Sequence, residues 1–124
     1  MRHALIKLAP LIFQLVIPAL AAEAPAAFDY RPQKISSADR PAVAELYVNT
    51  CASCHGPSGE GNGNGLALYG SKDPLANAAA MHFGRKQPPP LEIVMPAYGV
   101  QSLLTQTQIG QLAEYVAGFR PPWP

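Results

Sequence analysis

Between Gly56 and Gly70 the chain carries six glycines, at a density that the interior of neither a helix nor a sheet tolerates. This stretch must be loop. It is no phosphate cradle, because no Gly-Lys-Ser/Thr follows and the glycines miss the dinucleotide-binding spacing. Such a segment suits a chain that has to turn tightly against something flat and bulky. With 14 prolines and 10 glycines in 124 residues, and only 14% charged residues against the usual quarter, much of the remaining chain is expected to be irregular too. A single small core with that much loop is marginal by area arguments, so a covalent or cofactor staple is expected, and only two cysteines are present to attach one.

The amino terminus reads as a secretory signal over residues 1–21. Arg2 and Lys7 form a short basic region, Leu8 to Leu20 is apolar apart from Gln14, and Ala19-Leu20-Ala21 has the small-x-small pattern of a cleavage site. The apolar run falls short of about 20 residues and is broken by Pro10, Gln14 and Pro18, which disfavours an uncleaved membrane anchor. Export to a periplasm follows as the expectation. Losing Arg2 and Lys7 with the signal leaves seven basic against eight acidic residues, a charge of −1 that argues against nucleic acid or an anionic membrane surface as the main partner.

Residues 22–38 shift to Ala, Pro and isolated charges without helical or strand period, an extension whose composition suits a tether, although Phe28 and Tyr30 could pack. A single domain is expected over 39–124. Asp39 can cap a first helix running from about Arg40 to the cysteines, with Pro41 in the first turn and Val43, Leu46, Tyr47 and Thr50 on one buried face. Asp73-Pro74 can open a short helix to about Phe83. Pro88-Pro89-Pro90 favours an extended segment. Thr105-Gln-Thr-Gln108 is a capping box, and Ile109, Leu112, Ala113 and Val116 follow on one face of a last helix over about Gln106 to Phe119. No alternating apolar pattern is long enough for a sheet. The fold class expected is all-α.

Cys51-Ala-Ser-Cys54-His55 ends the first helical segment. Two thiols three positions apart, with an imidazole directly after the second, match the requirement for adding both haem vinyl groups as thioethers while the histidine reaches the iron. Other uses of these residues fit less well. A thioredoxin-like dithiol needs a strand before it and a β-α-β setting; a zinc site could recruit only His82, since His3 leaves with the signal; a disulfide would close too small a loop to stabilise much. One covalent haem c is the expected cofactor. For a second axial ligand the candidates are Met81, His82 and Met95. Met95 precedes Pro96, which pushes it out of helical geometry into a loop from which a thioether can project. Met81 falls in an alanine-rich helical segment where packing is the common role, and His82 reads as an exposed loop histidine.

From about Asp39 to Phe119 the chain resembles the class I c-type cytochromes, specifically the small bacterial monohaem members. The resemblance rests on Tyr47 four residues before Cys51, on Cys51-Ala-Ser-Cys54-His55-Gly56 with the glycine-rich loop behind it, on Met95-Pro96-Ala-Tyr98-Gly99, and on a terminal helix containing Leu112 and Tyr115. It implies the class I cytochrome c fold, a few short helices and loops wrapped around the haem, with the first and last helices crossing near its edge and Tyr47 and Tyr115 in contact there. It implies His55 as proximal and Met95 as distal iron ligand. In the family the His ligand bonds a proline carbonyl in a Pro-x-Leu stretch; the matching stretch here is Leu66-Ala-Leu68, which keeps a carbonyl and loses the proline. The function implied is one-electron transfer between redox proteins, not enzymatic turnover, by a monomer without stable membrane insertion. The alternative is a weakly bound haem subunit of a periplasmic oxidoreductase, with residues 22–38 or Pro121-Pro122-Trp123-Pro124 as anchors.

Overall fold

The computed structural model of the protein describes residues 24, 26–87, 90 and 93–123; the signal at 1–21, Pro88, Pro89 and Pro124 lie outside the described residues. Among the described residues four helices carry the fold: α1 (Arg40–Thr50), α2 (Ala52–His55), α3 (Pro74–Phe83) and α4 (Gln106–Ala117). Each begins or ends where local chemistry dictates. Asp73 accepts from the backbone N–H of Leu75 at 3.0 Å and Pro74 occupies the first turn of α3. Thr105 and Gln108 form the reciprocal capping box of α4, with bonds of 2.9 and 3.1 Å. That helix ends at Ala117 rather than Phe119, because Gly118 turns back to Tyr115 and Val116.

Asp39 does not cap α1, contrary to the reading of its side chain. Its backbone is already helical, so its carboxylate is turned away from the free N–H groups of the first turn. Ser36 acts one turn earlier: its hydroxyl accepts from the Asp39 N–H at 3.1 Å and donates to the Asp39 carboxylate at 2.6 Å. The absence of a sheet is also corrected. β1 (Arg85–Lys86) and β2 (Val94–Met95) form a two-residue antiparallel pair, with Arg85 opposite Met95. Strands this short leave no periodic trace in sequence, and their pairing is a tertiary contact.

The core lies between α1, α3 and α4. Val43 and Tyr47 from α1, Ala78 and Met81 from α3, and Ile109, Leu112, Ala113 and Val116 from α4 are buried together with Leu104. The stripes expected on α1 and α4 are therefore the buried faces. Leu46 and Thr50 are only half-buried, at the margin of the α1 stripe. In the last turns of α1 and α4 Tyr47 meets Tyr115 with ring centroids 5.6 Å apart, and Phe119 closes the cluster at 5.0 Å from Tyr47. Such tilted and edge-on pairs add to area burial. Among the described residues, nine buried apolar side chains are a small core for this length.

Residues 28–35 are no free tether. They cross the outer side of α3 and α4 as a strap, with Phe28, Tyr30 and Ile35 packed on the core. Tyr30 donates to Glu114 at 3.0 Å, and burial, reinforced by that carboxylate, pushes its phenol up to about 12, so the donor persists at any physiological pH. Gly110 makes room for the strap, since a Cβ there would lie 2.6 Å from Gln33 and 3.3 Å from the Arg31 carbonyl. Near the carboxyl terminus Trp123 is largely exposed and touches Tyr69 edge-on at 5.8 Å. It caps no core.

Candidate functional site

The thiols and the imidazole of the Cys51–His55 motif are delivered by one turn of chain. Cys51 ends α1, with its N–H bonded to the Tyr47 carbonyl at 2.8 Å, and α2 follows at once with Cys54 and His55. The glycine-rich loop then folds back over this turn. Gly61 N–H reaches the His55 carbonyl at 2.7 Å, Leu68 N–H reaches the Gly59 carbonyl at 2.8 Å, and Asn62 holds the Ser53 carbonyl at 3.1 Å. At Gly65 a Cβ would stand 2.5 Å from the Cys54 carbonyl oxygen, so only glycine permits the approach.

The loop's return sets the imidazole. His55 Nδ1 lies 2.8 Å from the Leu66 carbonyl oxygen. A carbonyl can only accept, so Nδ1 carries the proton and Nε2 retains its lone pair as a ligand. The carbonyl expected from the Leu66-Ala-Leu68 stretch is therefore in place without proline.

Cys51, Cys54 and His55 line a cavity of about 630 Å³, within the range of roughly 300–1,000 Å³ typical of cofactor pockets. Met81, Met95, Pro96, Tyr98 and Leu68 also face it, with Val116 from the core. Burial pushes the Cys51 thiol up to about 11, with Cys54 adding to the effect, so at neutral pH it remains a thiol. Two thiols, one imidazole with a free Nε2 and a thioether in one apolar cavity form a donor set that fits a covalently attached haem and its iron. A cavity of this size also explains the small core: the group it admits supplies the missing apolar surface.

The candidates for the second axial position separate in space. Met95 lies on β2, half-buried, in the cavity lining. Met81 shares that lining but is also nearly buried in the α1–α3–α4 core, the packing role expected for it. His82 is corrected. It is not an exposed loop residue; it is buried in the last turn of α3, apart from the cavity lining, against Phe28 at 5.2 Å and Phe83 at 4.6 Å. The reading failed because His-x-Gly looks like a turn, whereas the helix extends through it and the glycine is its C-cap.

Two cations of the site leave no signal in the sequence, and the role of Tyr98, named there only as part of the Met95–Gly99 motif, emerges from the structure. Lys72 and Arg85 bring cations to the lining, and Tyr98 donates to the Thr50 carbonyl at 3.3 Å, tying the Met95 loop to the end of α1. Arg85 could have been found only from the strand register that sets it opposite Met95.

Tyr47 supports the motif from beneath. Its hydroxyl donates to the Gly56 carbonyl at 2.7 Å, and burial, with Cys51 and Glu60 nearby, pushes the phenol far above its ordinary value, so it remains a donor. Tyr47→Phe is expected to cost about 1–3 kcal/mol, the penalty for stranding a buried acceptor, measured by denaturant unfolding of the holoprotein. A loss below about 0.3 kcal/mol would mean that water replaces the phenol there.

No curated protein matches the chain. The family described as Cytochrome C oxidase, cbb3-type, subunit III matches residues 38–116, which contain both cysteines, His55, the glycine-rich loop, Met95 and most of α4.

Proposed function

Because this chain belongs to the cbb3-type cytochrome c oxidase subunit III family and is a monohaem c-type cytochrome with covalently attached haem c, we propose that it is a periplasmic one-electron carrier between redox proteins. The observation that carries the reading is the convergence of Cys51, Cys54, His55 and Met95 on one apolar cavity. Haem c supplies the one-electron Fe(II)/Fe(III) couple. In this reading Cys51 and Cys54 would hold it through thioethers, and His55 Nε2 and the Met95 thioether would ligate its iron. Met95 favours the ferrous state and raises the potential relative to a second nitrogen ligand. Arg85, and Lys72, whose ammonium here donates to the Phe119 carbonyl, would offer cations to acidic side groups of the porphyrin. With His55 and Met95 both on the iron, oxygen or peroxide would find no free position, and one-electron transfer would be the chemistry the group supplies.

Residues 1–21 serve as the export signal and 39–124 as the haem domain in this proposal. Among the described residues no helix is long and apolar enough to cross a membrane. A mature charge near zero gives little electrostatic steering, so docking relies on apolar contact around the cavity mouth, where Leu66 and Val94 are exposed. The family description favours a second reading, a haem subunit of an oxidase complex.

The test is redox titration of purified holoprotein together with its mass. A single one-electron wave and the mass of one haem over the polypeptide support the proposal. Colourless protein at the bare polypeptide mass, after expression with haem-attachment machinery, would overturn it. Size-exclusion chromatography of native extract separates the two readings: a haem peak at the monomer position supports the free carrier, and one that elutes with a larger assembly supports the subunit.

A further inference from the structure

The buried face of the strap and the loop carrying Met95 meet at one side chain, His82. Three sets of contacts converge there. From the strap, Phe28 packs in a tilted contact against the His82 ring at 5.2 Å and against Phe83 at 5.5 Å. From α4, the Gln106 amide bridges the strap and the ring: its Oε1 accepts from the Asp29 N–H at 3.2 Å, and its Nε2 lies 3.1 Å from His82 Nδ1. The orientation of this amide is forced. Only its oxygen can accept from a backbone N–H, so its nitrogen donates and His82 Nδ1 accepts.

From the third direction comes the Met95–Gly99 loop. The Val100 N–H bonds the His82 carbonyl at 3.1 Å, and a Cβ on Gly99 would overlap the imidazole ring. Two residues along, a Cβ on Gly84 would lie 2.6 Å from the Met95 carbonyl oxygen and 2.9 Å from the Ala97 nitrogen. The end of α3 therefore abuts both ends of the segment that presents Met95. A ring held by Phe28 and Gln106 fixes the surface on which this segment rests.

The geometry points to the strap as a latch: acting through Gln106 and His82, residues 28–35 position the Met95–Gly99 loop and so hold the Met95 thioether in place against competing external ligands. This inference rests on Met95 as the second axial ligand. Asp29, Gln106 and His82 are positioning residues and touch no reacting atom. A strap that only covered apolar surface would add stability without discriminating among parts of the cavity, whereas a latch controls how readily Met95 is displaced.

Imidazole titration of the ferric holoprotein, followed by its visible spectrum, tests this. Gln106→Ala removes both amide bonds from a half-buried position at the start of α4, and Phe28→Leu loosens the ring contact while keeping apolar volume. Each hydrogen bond or ring contact contributes on the order of 1 kcal/mol, so each variant is expected to bind imidazole about two- to tenfold more tightly than the parent. Val43→Ala, in the core on α1, is the reference for general loosening and is expected to lower thermal stability with imidazole affinity unchanged. Met95→Ala is the reference for an open site. Parent-like affinity in both Gln106→Ala and Phe28→Leu, with Met95→Ala tight, would overturn the latch and leave the Met95 reading standing. Equal tightening by Val43→Ala overturns it as well, by tracing the effect to stability. Should Met95→Ala bind imidazole no better than the parent, the Met95 assignment fails and the latch with it.

Discussion

Replacing His55 with alanine is expected to eliminate stable holoprotein, with covalently coloured protein falling below roughly a tenth of the parent yield, because binding energy of the cofactor is folding energy in a chain with so small a core. The substitution has two effects at once. It removes the Nε2 proposed as iron ligand, and it removes the Nδ1–H that pins the Leu66 carbonyl at 2.8 Å. With that bond gone, the returning half of the glycine-rich loop loses its tie to the cysteine turn, and the cavity opens along Leu66–Leu68. Haem absorbance per polypeptide and thermal unfolding of whatever accumulates are the measurements. Parent-like colour and stability would show that the imidazole is dispensable.

Met95→Ala is expected to do something different in kind. The cysteines and His55 are untouched, so haem should remain attached, and if Met95 is the ligand proposed for it, one position on the iron should become available. Carbon monoxide should then bind the reduced protein rapidly. The reduction potential should fall by on the order of 0.1–0.3 V, a fraction of the ~0.8 V that axial ligands command across haem proteins. Met81→Ala is the decisive comparison, since Met81 lines the same cavity. As a nearly buried core residue it is expected to lose about 2–5 kcal/mol of stability while leaving the carbon monoxide rate slow. If Met81→Ala opens the site and Met95→Ala does not, the ligand comes from α3.

These two experiments address residues that were legible in the sequence for different reasons. The cysteine turn and His55 are a contiguous motif, and chemistry alone requires their spacing. Met95 was singled out by its proline, which bars helix at that point, and the structure brings it to the cavity that the cysteines line. The helices were legible as well. The caps at Asp73 and Thr105 and the stripe from Ile109 to Val116 are local devices, and local devices survive whatever the rest of the chain does.

The failures have a common physical origin. His82 looked exposed because a His-x-Gly string resembles a turn; its burial comes from Phe28, more than fifty residues upstream, and Gln106, more than twenty downstream. Residues 28–35 looked like a tether because they have no period, yet a strap needs none, only a groove to cross and a glycine such as Gly110 to admit it. The Asp39 cap failed by one turn, since Ser36 had already bent the chain into helical geometry.

What the amino-acid order determined by itself was everything encoded within a few residues: two thiols and an imidazole on one turn, a loop that glycine alone can close over them, helices with their own caps and stripes, and a core too small to stand without a guest. Only the tertiary structure decided which distant residues share the cavity wall with that turn, that Arg85 pairs with Met95, and that the amino-terminal segment reaches the methionine loop through Gln106 and His82. Spacing and propensity act over one or two turns, whereas these contacts depend on where whole segments come to rest when apolar surface is buried, which no local pattern records.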